Sequence, residues 1–432
     1  MILDIGSLLF VWRDPRPASC FRLRPRPSYV PPAMISQRYH LGLQCRSLTA
    51  TILLGLAVAS ACIRTPEPLP PVELTVVEGG HRESASSGGE IRVGFLNTRM
   101  LPFSSAGSRA DVIASRILAG DFAIVVLSEV FSETGRDRLV ELLGTLYPFR
   151  VEYIGSGTLH RVDSGLMLLS RVPLSKIEGS AQYQTQRVRG NTEFGSEPEQ
   201  VAGYVRFVEF DACASADCWA GKGAGYVRTD LSGRPLHLFF SHMQASYGSH
   251  NEAARRKTVA ARKSQRLQMA SFIESVAGES LLQGENALVV GDLNVDVNAE
   301  RSEMMSQLSG PFPFGLSDVW TDHGPPGDPG LTFPVRNPSV RFDYMLASLA
   351  DTASMLCVGT MSTAYGLDTR RPAEDADISA ERRVTDHLGL VVDLELSDSP
   401  CRAQTLVDRG DTAGSSASRE AAEPPESPAQ AH

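Results

Sequence analysis

The 432-residue chain is short of aromatic side chains, which make up 7% of it, and has only seven cysteines. Its basic residues, 41 Lys and Arg, are outnumbered by 50 Asp and Glu. Each shortage excludes something. The formal charge is −9, yet residues 1–62 hold seven Arg against two Asp, so the remainder is more acidic than the whole. Such a body is poorly suited to bulk attraction of DNA or RNA, whose non-specific affinity comes from Lys and Arg on phosphates; a local basic groove is not excluded. The cysteine spacing matches no zinc module. The apolar stretch from Thr49 to Ala61 is too short for a membrane span. There is no internal repeat.

That stretch follows Arg38 and Arg46 and runs into Ala59-Ser60-Ala61-Cys62, the charged, apolar, small-residue order of a secretory signal. Residues 34–62 therefore read as an export signal starting at Met34. Residues 1–33, rich in Pro and Arg, read as an upstream extension that could lie outside the translated protein. The small residues before Cys62 also resemble a bacterial lipobox, where the cysteine is acylated and anchors the protein to the envelope. Ala59 stands where leucine is usual, so cleavage after Ala61 is the alternative. Export permits disulfides. Cys213 and Cys218 are close enough for a small loop, and Cys357 and Cys401 could staple neighbouring strands; free buried thiols are the other reading.

Residues 63–89, rich in Pro, then Gly and Ser, form a tether, and residues 402–432, rich in Ala, Ser, Glu and Pro, a disordered tail. Nothing divides residues 90–398, which read as one domain and, without contrary signal, as a monomer. Apolar runs predict strands at 91–96, 121–127, 151–154, 165–170, 225–230, 235–240, 287–292, 316–320, 341–347 and 388–396. Helical spacing predicts helices at 108–118, 137–146 and 252–277. Strands and helices mix without strict alternation, which predicts an α/β protein of two packed sheets with helices outside.

Reactive residues gather where these strands stop. Ala287-Leu288-Val289-Val290 ends in Gly291-Asp292-Leu293-Asn294, and Asp292 and Asn294, two apart, point to one side of an extended chain. A hard anionic oxygen beside a neutral amide suits a divalent cation with a phosphate next to it. Glu129 ends a run that should be buried, where a carboxylate is costly unless paired or bound to a cation. Asn97 closes the first strand, His242 follows Leu238-Phe239-Phe240-Ser241, Asp343 lies within Arg341-Phe342-Asp343-Tyr344, and Asp386-His387 precedes Leu388-Gly389-Leu390-Val391-Val392. Singly each is an ordinary turn, rim or core residue; six strand ends with such residues are harder to dismiss.

Taken in order, Asn97, Ser128-Glu129-Val130, Ser241-His242-Met243-Gln244-Ala245, Gly291-Asp292-Leu293-Asn294, Phe342-Asp343-Tyr344 and Thr385-Asp386-His387 resemble the motifs of the endonuclease/exonuclease/phosphatase superfamily over residues 90–396. Segments around and between those motifs (Asn97-Thr98-Arg99-Met100-Leu101, Ser108 to Ile113, Glu129-Val130-Phe131 with Asp137-Arg138-Leu139, Lys222-Gly223, and His242-Met243-Gln244-Ala245) are similar to bacterial neutral sphingomyelinases, sphingomyelinase C. The resemblance implies a four-layer α/β/β/α sandwich and a phosphodiesterase dependent on Mg²⁺, with Mn²⁺ or Co²⁺ as alternatives. It implies Glu129 as metal ligand with Asn97 nearby, and Asp292 orienting the attacking water or a second cation. His387 would be general base, Asp343 its orienter, Asn294 and His242 holders of the phosphate, and Asp386 a neighbour of the base.

In one stretch the sequence departs from that pattern. Sphingomyelinases of this kind carry an aromatic-rich hairpin ahead of the Asp-His motif, whereas residues 360–384 here are rich in charged side chains, with Tyr365 the one aromatic. A loop of that composition should bind a bilayer poorly. A lipid anchor, or Arg255-Arg256-Lys257 with Arg262, Lys263 and Arg266 against anionic headgroups, could supply membrane contact; a solvated helix face is the bland reading of that run. Three functions follow: a sphingomyelinase-like phospholipase C acting on a choline phospholipid, a secreted nuclease or other phosphoesterase, or a surface module that binds lipid without turnover.

Overall fold

The computed structural model describes residues 90–397 and Cys401, apart from 103, 105, 158–160, 179–181, 194, 248–250, 336, 350–354 and 370–383. The extension, the export signal with Cys62, the tether before Glu90, the tail after Cys401 and most of the charged stretch ahead of Thr385 lie outside the described residues. Among the described residues no helix is long and apolar enough to cross a membrane.

In chain order the strands are β1 (Glu90–Met100), β2 (Ile124–Val130), β3 (Phe149–Ile154), β4 (Met167–Ser170), β5 (Leu174–Ser175), β6 (Val188–Asn191), β7 (Arg206–Glu209), β8 (Gly223–Asp230), β9 (Pro235–His242), β10 (Asn286–Asp292), β11 (Ser317–Asp318), β12 (Asp343–Ser348), β13 (Met355–Tyr365) and β14 (Leu388–Ser397). The helices are α1 (Ala106–Gly120), α2 (Glu133–Leu143), α3 (Pro198–Val201), α4 (Glu252–Leu282), α5 (Arg301–Leu308) and α6 (Val319–His323). One seven-stranded sheet runs β13-β14-β1-β2-β4-β3-β6; the other runs β11-β12-β10-β9-β8-β5, with β7 paired to β8.

Three apolar layers explain why the central strands read as unbroken apolar runs: both of their faces are covered. Phe95, Val126, Leu168, Leu238, Phe240, Leu288, Val290 and Val392 meet between the sheets. Leu96, Val125 and Leu127 turn the other way and pack on Ile113 and Ile117 of α1 and Leu139 of α2. Phe239 and Val289 pack on Met269, Phe272 and Ile273 of α4 and Met304 of α5. Helix, sheet, sheet, helix is the four-layer sandwich expected. Asn251 caps α4 by accepting from the amides of Ala253 and Ala254. Both suggested disulfides are formed, Cys213–Cys218 and Cys357–Cys401.

Some elements differ from the sequence expectation. The strand expected at 316–320 is only Ser317–Asp318, because buried Asp318 binds Arg301 and Arg341 and the chain turns into α6 at Val319. Residues 360–365, expected to open a loop, belong to β13, the sheet's edge strand. Thr360 and Ser362 are exposed and Met361 between them is buried against the other sheet, but Ala364, on the same face as Thr360 and Ser362, is buried under the helices, so no clean alternation marks the strand. Strands β5, β6 and β7 and helices α3 and α5 were not expected; at two to eight residues they are too short for a periodic signal.

Candidate active site

Parallel pairing of β9 with β10 sets His242 beside Asp292, and antiparallel pairing of β10 with β12 sets Asp292 beside Asp343. One sheet thus presents a row of His242, Asp292 and Asp343 at its rim. In the other sheet β1 and β2 run parallel with Asn97 opposite Ser128, which carries Glu129 just past the pair. His387 stands immediately ahead of β14, which pairs antiparallel with β1, so it arrives at the same rim. The sandwich brings the two rims together. Asn97 Nδ2 donates to Glu129 Oε1 at 3.1 Å and to Asp292 Oδ2 at 3.0 Å, one amide joining carboxylates of both sheets.

The rim is locally strained. Arg99, Glu129 and Asn294 all have φ between 51° and 56°, left-handed values that cost a side-chain-bearing residue energy and persist only where surroundings enforce them. Asn294 is held by its amide N–H, which donates to Asp292 Oδ1, and by Nδ2, which donates to the Met243 carbonyl. Thr385 holds the His387 turn: its hydroxyl donates to the Asn97 carbonyl and accepts from the His387 amide.

His387 Nδ1 lies 2.8 Å from Asp343 Oδ2, and its Nε2 is 3.9 Å from Asp292 Oδ2. Burial draws the imidazole pKa down, but Asp343, Asp292 and Asp386 outweigh it and lift it to about 10. Burial, reinforced by Asp343, raises Asp292 to about 7. Burial, then Asp386, raises Glu129 above the ordinary carboxylate value. His242 goes the other way, far below the usual histidine value, through burial and the nearby Lys222 and His387. Its Nε2 lies 3.0 Å from Lys222 Nζ, while Nδ1 is buried without a hydrogen-bond partner among the described residues. Asp386 is the most exposed of the set and pairs with Arg99 at 3.4 Å.

Residues 94–387, the span that carries all of these side chains, match one family, described as Endonuclease/Exonuclease/phosphatase. The chain belongs to that family. A candidate neutral sphingomyelinase of Drosophila melanogaster is 28% identical over 207 residues, 48% of this chain and 39% of that protein. Sphingomyelinase C of Bacillus cereus is 24% identical over 262 residues, 59% of this chain and 72% of that protein. A crystal structure of beta toxin from Staphylococcus aureus is 17% identical, with a TM-score of 0.49, covering 70% of this chain and 99% of that one.

Within the endonuclease/exonuclease/phosphatase fold the donor set suits a hard divalent cation: the carboxylates of Glu129 and Asp292 meet at one rim, joined through the Asn97 amide. Glu129 and Asp292 are pushed toward protonation by burial, which is the state of buried anions that a cation would relieve. Asp292, Asp343 and His387 also lie within ligand distance of one another. Because His387 Nδ1 is already engaged by Asp343, that trio reads better as an oriented imidazole facing a carboxylate.

Two buried residues at the site carried no role in the sequence reading. Lys222 donates to Asp217 Oδ2 and the Met243 carbonyl, both at 2.8 Å, as well as meeting His242. Asp217 also accepts from the Ala245 amide and the Tyr247 hydroxyl. Lys222-Gly223 stood in a family-like segment, but a lysine five residues past an aspartate in a loop offers no periodic signal of burial.

Proposed function

We propose that the chain is an exported, divalent-metal-dependent phosphodiesterase that hydrolyses sphingomyelin to ceramide and phosphocholine. The observation that carries this is His387, oriented by Asp343 and facing Asp292, beside the Asn97–Glu129 pair. In-line attack on a phosphodiester needs an activated water, charge stabilisation on the non-bridging oxygens and donors for the developing charge. With Nδ1 engaged by Asp343, His387 Nε2 is the nitrogen left to take the water's proton. Only the neutral imidazole can do so, and a cation among the carboxylates that raise its pKa to about 10 would favour that form. Asp343 holds the ring and stabilises the imidazolium that results. Asp292 orients the water, and Asn294 and His242 face the phosphate, with Asp386 beside the base. Glu129, with Asn97 and Asp292 near it, would hold Mg²⁺, which when bound polarises the phosphoryl oxygens. The sphingomyelinase relatives support the lipid substrate, and the two disulfides support export.

The test is phosphocholine release from sphingomyelin in detergent micelles, with Mg²⁺ and with chelator, for the full chain and for His387→Ala. Metal-dependent release that vanishes in the variant is expected. Activity on DNA in place of the lipid would keep the chemistry and discard the substrate. Choline-lipid binding without turnover would discard the enzyme.

A further inference from the structure

Glu129 sits in a left-handed conformation at the end of β2, and something must keep it there. Immediately behind it a closed ring of buried hydrogen bonds takes up the next residue. The Val130 amide donates to the Gly165 carbonyl at 2.9 Å. The Val130 carbonyl accepts from Arg136 Nη2 at 2.6 Å. The same nitrogen lies 2.6 Å from Asp163 Oδ2, and Asp163 Oδ1 accepts from the Gly165 amide at 2.8 Å, which closes the ring. Arg136 is 2% exposed and Asp163 5%. Gly165 has φ of +67°, and a Cβ there would meet the Phe131 ring at 2.5 Å, so that ring packs directly on the glycine backbone. The strand end is thus gripped on both sides of Val130, one residue from the Glu129 carboxylate.

The sequence places the grip. Ser132 caps α2 directly after β2, and the first turn of the helix swings Arg136 back over the strand it has just left. A lone buried guanidinium would be costly, and Asp163 on the neighbouring loop matches it. Neither residue reaches the rim, and neither has a part in the proposed chemistry.

We infer that Arg136 and Asp163 are positioning residues: together they hold the backbone at Val130 so that the strained Glu129 presents its carboxylate to the cation site. This rests on the reading of Glu129 as a metal ligand. Residues that orient metal ligands from behind typically set affinity by about 10–100-fold. The role predicted here falls on metal affinity first, with turnover largely restored when metal is saturating.

The experiment is calorimetric titration of the full, metal-free chain with Mg²⁺, and separately Mn²⁺, for wild type, Arg136→Lys and Asp163→Asn, with melting curves recorded without metal. Arg136→Lys keeps the charge and loses the forked geometry; Asp163→Asn keeps the shape and loses the charge. Metal affinity about 10–100-fold weaker in folded variants is expected. Unchanged affinity with a lowered melting temperature would overturn the inference and leave a structural pair. Metal binding absent from wild type would sink the Glu129 reading, and this inference with it. Should both single variants fail to fold, the double variant Arg136→Met with Asp163→Leu removes the two charges together. Wild-type affinity in that protein overturns the proposal, and weakened affinity supports it.

Discussion

Asp292 and Asp343 are register partners on adjacent antiparallel strands, buried side by side at the same rim. Two carboxylates so placed cannot both carry charge without help. Asp343 has the His387 imidazole at 2.8 Å; Asp292 has the Asn97 amide and is the one driven toward protonation, to about 7. The partner that remains to be supplied is a cation, and the expected consequences can be measured.

The imidazole should carry the largest single share of turnover. His387→Ala and Asp343→Asn are each expected to lower kcat by about 10²–10⁴-fold. Asp343→Asn should leave the fold intact, since the amide keeps the shape and loses only the charge facing Nδ1. Phosphocholine release in micelles, with circular dichroism as control, checks both; near-normal turnover in either would remove the base assignment.

Metal and pH should be coupled. The folded Asp292 pKa is raised, so the metal-free protein loses stability as pH climbs from about 4 through about 7 and the carboxylate is forced to ionise. For His387, raised to about 10, the contribution is fully present below its ordinary value of 6.5 and is lost as pH rises through 10. Bound Mg²⁺ offsets the first loss, so the rise in melting temperature on adding Mg²⁺ should be larger at pH 8 than at pH 5.5, and binding should release protons. A shift that is the same at both values would contradict a cation on Asp292.

Glu300 is the counter-ion of two buried arginines, Arg262 at 2.6 Å and Arg266 at 3.2 Å, both at most 1% exposed. Glu300→Ala leaves Arg262 buried without a carboxylate, while Arg266 keeps Glu303 at 3.3 Å, and should cost about 3–5 kcal/mol in urea unfolding. The same contacts bury Arg262 and Arg266 in α4, so of the basic run suggested for headgroup contact only Arg255, Arg256, Lys257 and Lys263 are exposed.

The Cys357–Cys401 disulfide ties β13 to the chain just beyond β14, across a separation of 44 residues. Its bridge lies at the opposite end of β14 from His387, with Cys357 in register with Glu395. Replacing both cysteines with serine should lower stability by about 2–4 kcal/mol while leaving kcat in micelles unchanged.

Much of this architecture was legible along the chain because it is local. An apolar run that stops at a polar residue marks a strand end in most cases: His242, Asp292 and Asp343 are terminal strand residues and Glu129 is one residue from the end of β2. Asn97, expected to close the first strand, instead lies inside β1, which continues past a register shift to Met100. The two-sheet sandwich followed from many strands mixed with helices without strict alternation. Short elements escaped: β5, β6 and β7 hold two to four residues each, and β13 escaped because its exposed and buried residues do not alternate cleanly. Lys222 and Asp217 escaped too, since their burial comes from a loop folding under His242, and no period of two or 3.6 records it.

The sequence by itself determined which residue types stand at the strand ends, because the chain must change from buried to exposed there. Only the tertiary structure decided which of them meet. Asn97 and Asp292 are 195 residues apart, and nothing local makes one amide bridge carboxylates of two different sheets. The same holds for the charges: Asp292 and Glu129 are ordinary carboxylates in the sequence, and become reluctant ones only when packing removes their water and sets other anions beside them.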